Sequence, residues 1–568
     1  GAGEGIAIAV LKPGVDPTAA TATIKSIIAD YVRSGVPSEL VHAAQRQALM
    51  QVESKFDSIA GLADAWSSAL AIERHTHPDA DVRAMQNVTV ADVNRVAREY
   101  LDNDTAVTAV LNPKPSGRPS STQAFGAPES FAPKNAKAVQ LPQWAAAALG
   151  TLSIPRSTLA PVATTLPNGL HLIVQTETVS KMVSVAGSVK AEPALEEPRG
   201  EEGVAGVVDD MFSYGSTHLG RLDYQRALDA IAASESGGSS FSLSVLAQNF
   251  DRGVELLADN ELHPLFDADD FATVRQKDAQ ATASELQSPG YLADRALLFG
   301  LLPKGDPDLR EATLATVSGL TPAQAQSYYA RAFRPDMTTI VIIGDVTPDL
   351  AKAVVERWFG AWKAAGRKPA TDLPRVPLNR PSMTVVPDTS RVQDAVTLKE
   401  DVALVRSDRD YYALQLGDHV LGGGFYATRL YHDVREKAGL VYAIDNELDA
   451  GATRSTYTVT YGCDPPNVSK AKSIVVRDLK RMQTEPVTPH ELEQAKALLL
   501  REIPLSESDE DSIAGGLMAR SQNGLPLDEP ERAARIYAAM DAATIRAAFA
   551  KWIRPDAFVE AVQGPAPR

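Results

Sequence analysis

In a chain of 568 residues, the side chains able to hold a metal or attack a carbonyl are few and easily located. The nine histidines are His42, His75, His77, His171, His218, His263, His419, His432 and His490. None forms HxxEH, HExxH or an i,i+4 pair, the spacings that set two imidazoles on one helix face for zinc. His75-Thr76-His77 reads as a surface or capping pair rather than a chelate. No histidine arrangement therefore makes a metal site in the sequence. The single cysteine, Cys463, excludes a disulfide framework and a cysteine zinc ribbon, and reads as a small buried apolar residue. The glycine run Gly422-Gly423-Gly424, followed by Phe425, lacks both the Lys-Ser/Thr ending and the G-x-G-x-x-G spacing of phosphate loops. It reads as a tight, backbone-accessible turn ahead of a helix.

The elements that position these groups follow from length and patterning. At about 150 residues per domain, the chain holds about four domains. Hydrophobic residues make up 44% and charged residues 23%, ordinary values for a globular protein, and no run approaches the roughly 18 apolar residues of a membrane helix. A net charge of −16 repels phosphate backbones, which argues against general nucleic-acid binding and favours basic substrates or partners.

Three regions share one order of strand, amphipathic helix, Pro/Glu-type helix start, further helices and strand. Residues 37–107 align with 489–559 without a gap at an offset of 452. Pro37 matches Pro489, Glu39 matches Glu491, Leu40 matches Leu492, Tyr100 matches Trp552 and Asp104 matches Asp556. Arg334-Pro335-Asp336 recurs 220 residues later as Arg554-Pro555-Asp556, each time where a helix stops before Pro and an apolar β run begins. The units expected are 1–115, 161–365 and 382–568, joined by a Pro/Ala/Ser-rich linker at 116–160 and a shorter one at 366–381. Residues 1–115 match only the second part of the 382–568 unit, so a sheet edge and an apolar face are expected to lie uncovered. Another polypeptide, or a preceding part of the same precursor, is expected to complete that domain. Residue 1 is Gly and no secretion segment follows it, so the beginning reads as a cut.

The opening strand with Leu166-Pro167-Asn168-Gly169-Leu170, followed by Gly203 to Ser216, resembles the pitrilysin (insulinase) family of zinc metallopeptidases over nearly the whole chain. The resemblance implies an α+β fold of repeated half-domains, mixed or antiparallel sheets flanked by helices, in two bowl-like halves around a chamber for unfolded peptides. In the family's HxxEH register, Gly206 stands at the first His, Asp209 at the Glu and Asp210 at the second His. Glu285 follows Asp210 by 75 residues, near the family's distal ligand. Two oxygen ligands fall short of the usual three protein ligands, so this degenerate motif is read as solvated or salt-bridged and the chain as binding no metal.

The family also carries an Arg and a Tyr seven positions apart, matched by Arg435 and Tyr442 in Val434-Arg435-Glu436-Lys437-Ala438-Gly439-Leu440-Val441-Tyr442. Guanidinium and phenol both donate hydrogen bonds to a peptide carbonyl or to the oxyanion formed when water attacks it. The resemblance implies a C-terminal, zinc-free part of a heterodimeric metalloendopeptidase, inactive alone. Arg435 and Tyr442 clamp the substrate, Gly422 to Phe425 contact it, and zinc sits on an N-terminal fragment or partner subunit. Family analogy puts it in the periplasm, with the cytoplasm as alternative. The competing reading is a non-catalytic structural subunit like the core proteins of respiratory complexes.

Overall fold

The computed structural model describes residues 5–9, 11, 15–101, 106–111, 142–144, 152–424 and 427–565. Two mixed sheets dominate it, giving an α+β fold. The first is built from β1 (Val162–Thr165), β2 (His171–Thr176), β3 (Met182–Val189), β4 (Ser234–Ser236), β5 (Ser240–Leu246) and β6 (Thr338–Gly344), in the order β1-β2-β6-β3-β5-β4. The second contains β7 (Ser382–Pro387), β8 (Asp394–Asp401), β9 (Val441–Ala450), β10 (Ser455–Cys463) and β11 (Val559–Gly564), in the order β7-β11-β8-β10-β9. In each sheet the last strand of the unit enters the middle, parallel to one neighbour and antiparallel to the other.

That central position explains the unbroken apolar run of β6. Ile340 and Ile342 face the core of their own unit, whereas Val341 and Ile343 pack against Ile513, Ala514 and Leu517 of the Glu510–Gln522 helix. A strand buried on both faces has no polar side to alternate with. The second sheet is covered reciprocally. Val559 and Ala561 of β11 pack with Ala293, Leu297 and Leu301 of the Pro289–Leu301 helix, which belongs to the first sheet's unit. Each sheet is thus roofed by a helix from the other unit. Arg454 clasps the two further, donating to both carboxylate oxygens of buried Asp306 at 3.1 and 2.7 Å, to Asp308 at 3.0 Å and to the Pro374 carbonyl at 2.7 Å.

The repeated Arg-Pro-Asp tripeptides pin the connecting segment. Arg334 pairs with Asp336 through two hydrogen bonds of 2.8 and 2.9 Å and donates to the carbonyls of Ala365 and Arg367. Arg554 donates to the backbone carbonyl and side-chain oxygen of buried Asn379. Residues 116–141 and 145–151 of the segment read as a linker lie outside the described residues, as does Asp104. Its closing residues are held rather than loose. Ser157 bonds to Glu531 and Glu507, and Ala160 N–H donates to Gln175.

Residues 15–101 form helices at Pro17–Ser34, Ser38–Glu53, Ile59–Ser67, Asp79–Gln86 and Val90–Tyr100. Moved by 452 positions they fall on Val468–Thr484, Pro489–Leu505, Glu510–Gln522, Glu529–Ala539 and Ala542–Trp552. The equivalent turns touch: Ile59 N–H donates to the Ser508 carbonyl at 2.9 Å. No strand occurs among the described residues of 1–115, so the sheet edge expected there is not formed. Val107, 97% exposed, stands where buried Val559 begins β11. A lone segment without neighbours has no ladder to join.

Candidate functional site

The Val204–Met211 helix carries the residues expected in the zinc-helix register, and its side chains do not suit a metal. Gly206 contributes no ligand, although the space beyond its Cα is open. Asp209 braces the helix to the turn between β4 and β5: its two oxygens accept from the Ser239 N–H at 2.8 Å and hydroxyl at 2.6 Å. Burial, together with the neighbouring Asp210 charge, pushes its carboxyl up from the usual range against those hydrogen bonds. Asp210 turns to the Ala268–Glu285 helix and meets Lys277 Nζ at 2.6 Å. Burial and the charge of Asp210 push Asp278 beside it up to about 6. Exposed Glu285 lies seven residues further along that helix, about two turns or 10 Å from Asp278. The structure therefore does not gather Gly206, Asp209, Asp210 and Glu285 into a cage.

The Arg/Tyr segment is organised differently. Tyr431–Lys437 is wound as a π-helix, a form that recurs at functional sites. It is fastened from below. Burial pushes the Asp433 carboxyl up, but Lys437, Arg477 and His432 hold it below the usual range. Arg429 makes a bidentate pair with Glu491 at 2.8 and 2.9 Å, and that pair draws Glu491 down to about 2 against the cost of burial. On this base the Arg435 guanidinium carbon lies 4.6 Å from the Tyr431 ring centroid and 4.9 Å from that of Tyr442. Such stacking orients a guanidinium plane while leaving its edge for hydrogen bonds. Tyr442 is the second residue of β9, an edge strand, and is 70% exposed.

Gly422 to Gly424 have a reason in packing. A Cβ on Gly422 would lie 1.7 Å from Asn446 Oδ1, and one on Gly424 would lie 2.8 Å from the His419 carbonyl. Gly422 is buried, so the turn is less open than the sequence implied, while Gly423 is exposed. Phe425 lies outside the described residues. Beneath the turn Asp418, Asn446 and Tyr457 form a buried network. Asn446 Nδ2 meets Asp418 Oδ1 and approaches Tyr457 Oη at 2.8 Å. Burial pushes the Asp418 carboxyl up to about 8. Cys463 is buried, as expected, and burial raises its thiol to about 12.

The sequence also missed a cluster. His218, Asp259 and His263 offer ligand atoms within 4.8 Å of one another, which corrects the reading that no histidines assemble. The signal was present as the i,i+4 pair Asp259/His263, but the second imidazole is 45 residues away from His263 and only the fold brings it in.

Comparison with known proteins agrees with the fold. Residues 319–499 match the family described as "Peptidase M16 inactive domain". An uncharacterized zinc protease of Mycobacterium bovis is 27% identical over 373 residues, covering 63% of this chain and 83% of that protein. A probable inactive metalloprotease of Bacillus subtilis is 23% identical over 266 residues, 44% of this chain and 60% of that one. Among solved structures, a peptidase M16 inactive domain from Pseudomonas fluorescens superposes with a TM-score of 0.64 at 22% identity, covering 72% of this chain and 98% of that one. The periplasmic protease PqqL from Escherichia coli covers 97% of this chain with 63% of its own length, at a TM-score of 0.62 and 15% identity.

Proposed function

We propose that the chain is a pitrilysin-type (M16) peptidase component, the half without the catalytic zinc of a two-part zinc endopeptidase, a reading supported by the match of residues 319–499 to the inactive-domain family and by the zinc-protease relatives. Arg435 and Tyr442 then act on a peptide whose scissile bond is presented by a zinc-bearing half. The observation that carries the reading is the pair itself, a half-buried Arg435 stacked between Tyr431 and an exposed Tyr442 on an edge strand. An extended peptide lying along β9 brings a backbone carbonyl to these donors. Arg435 and the Tyr442 hydroxyl orient that carbonyl and stabilise the negative charge that grows on its oxygen. Closing the halves around the peptide excludes water and completes the donor set.

The first unit supports the same proposal. In the two complete units each sheet is roofed by a helix of the other, Pro289–Leu301 or Glu510–Gln522. The equivalent Ile59–Ser67 helix and the turn after it expose Ile59, Leu70 and Ile72. They fit the outer sheet face of a further half-domain, which we assign to the zinc-bearing half. The domain limits 1–115, 161–365 and 382–568, the heterodimeric assembly and a periplasmic location belong to this proposal. So does the contact of Gly422 to Phe425 with substrate.

Incubation of the chain with an unfolded peptide and zinc, alone and with a chain carrying HxxEH, tests it. Alone it leaves the peptide intact; the pair cleaves it. Arg435→Ala lowers kcat of the pair by about 100-fold and Tyr442→Phe by about 10-fold. Cleavage by the chain alone would refute the assignment. A pair indifferent to both substitutions would favour a structural subunit, the role for which the degenerate Gly206/Asp209/Asp210 helix is equally suited.

A further inference from the structure

His218, Asp259 and His263 lie in the first-sheet unit, on elements that play no part in the proposed peptide clamp. Asp259 is in the last turn of the Phe250–Leu262 helix and His263 caps it, so their spacing stacks carboxylate and imidazole one turn apart. His218 comes from the loop ahead of the Arg221–Ile231 helix. Backbone hydrogen bonds lock the two segments together: Thr217 N–H donates to the His263 carbonyl at 2.8 Å and Leu265 N–H to Gly215 at 3.1 Å. The Ser216 hydroxyl accepts from the N–H groups of His218 and Leu219 at 3.1 and 3.0 Å and donates to Asp259 Oδ2 at 2.5 Å. That leaves Asp259 Oδ1 turned to His218 Nδ1, also 2.5 Å away. The two imidazole rings meet edge to face with centroids 5.0 Å apart.

We propose that His218, Asp259 and His263 form a binding site for a borderline divalent transition metal such as zinc. Two imidazoles and one carboxylate are the donor set such ions prefer, whereas magnesium and calcium seek oxygen. Ser216 orients the carboxylate as outer-shell partners of metal ligands do. The helix C-terminus adds partial negative charge beneath the ion. His218 and His263 are exposed, so the ion keeps at least one position for water or an external ligand. Bound there, it clips the 215–220 loop to the helix that follows β5.

Calorimetric titration of the chelator-treated full chain with zinc chloride is the test, with magnesium as the hard-ion control. One equivalent of zinc binds with Kd of about 1 μM or tighter, and magnesium does not bind. The His218→Ala/His263→Ala variant loses that equivalent by at least about 100-fold, while His432→Ala, at an exposed His-Glu pair elsewhere, retains it. Both changes are at exposed positions, and unchanged circular dichroism verifies folding. Cobalt(II) gives a second readout, with visible bands present in the wild type and absent in the double variant. A double variant that keeps the tight equivalent, or a wild type with none tighter than about 100 μM, overturns the site.

Discussion

The helices of residues 17–100 and those of 468–552 run in the same order at the same spacing, yet one set encloses a core and the other does not. Leu479 is 0% exposed, packed beneath the second sheet, while its counterpart Ile27 is 51% exposed. Among the described residues of 15–101, buried hydrophobic side chains are confined to Val41, Ala69 and Ala97. The difference is the sheet. β8, β10 and β11 give the C-terminal helices a face to cover, and the first unit has no strand among its described residues to offer one. Helices of 8 to 18 residues draw most of their stability from packing, not propensity.

The largest consequence is in local opening. In the chain alone, amides of the Pro17–Tyr100 helices exchange about a thousandfold faster than those of Val468–Trp552, and adding the zinc-bearing half removes most of that gap. Equal protection in the free chain, read by hydrogen-exchange mass spectrometry, would erase the distinction between the two sets. Next in size, Leu479→Ala lowers unfolding free energy by about 3 kcal/mol, whereas Ile27→Ala changes it by less than about 0.5 kcal/mol. Denaturant titration measures both, and the Ile27 variant should instead weaken association with the zinc-bearing half.

A smaller effect separates the two sets by pH. Burial raises Asp418 to about 8 and Glu400 to about 7 under the second sheet, whereas the first unit has Asp57, at its contact with the others, raised to about 6. A carboxyl whose folded pKa lies above its unfolded value holds its proton more tightly when folded. Its stabilisation is complete below about pH 4 and is lost as pH rises through the folded value. The C-terminal unit therefore melts lower at pH 8.5 than at pH 5. Asp418→Asn narrows that drop by roughly 3 °C in calorimetry, and an unchanged drop would remove Asp418 as its source.

The chemical motifs were legible to different depths. Arg435 and Tyr442 were singled out by their match to the family's Arg/Tyr spacing within one local string. The stacking of Arg435 between Tyr431 and Tyr442 was not, since it depends on the π-helical winding of Tyr431–Lys437. Gly422 was read as accessible, but the Asn446 side chain that demands a glycine there comes from β9. Of the His218/Asp259/His263 cluster only the Asp259/His263 spacing was legible, because His218 joins it across a loop closure and not along the helix.

By itself the sequence determined the repeat, its helices and the absence of an imidazole at Gly206 and Asp210, since these are written in local periodicity and in which side chains are present at all. Only the tertiary structure decided which apolar faces are covered, because burial depends on a second surface arriving from elsewhere. Val107 and Val559 share a pattern, yet one is bare and the other sits under the Pro289–Leu301 helix. The same dependence on distant partners governs the exchanged helices, the Arg454 clasp and the metal-ligand cluster, each joining residues brought together across a distance in the chain.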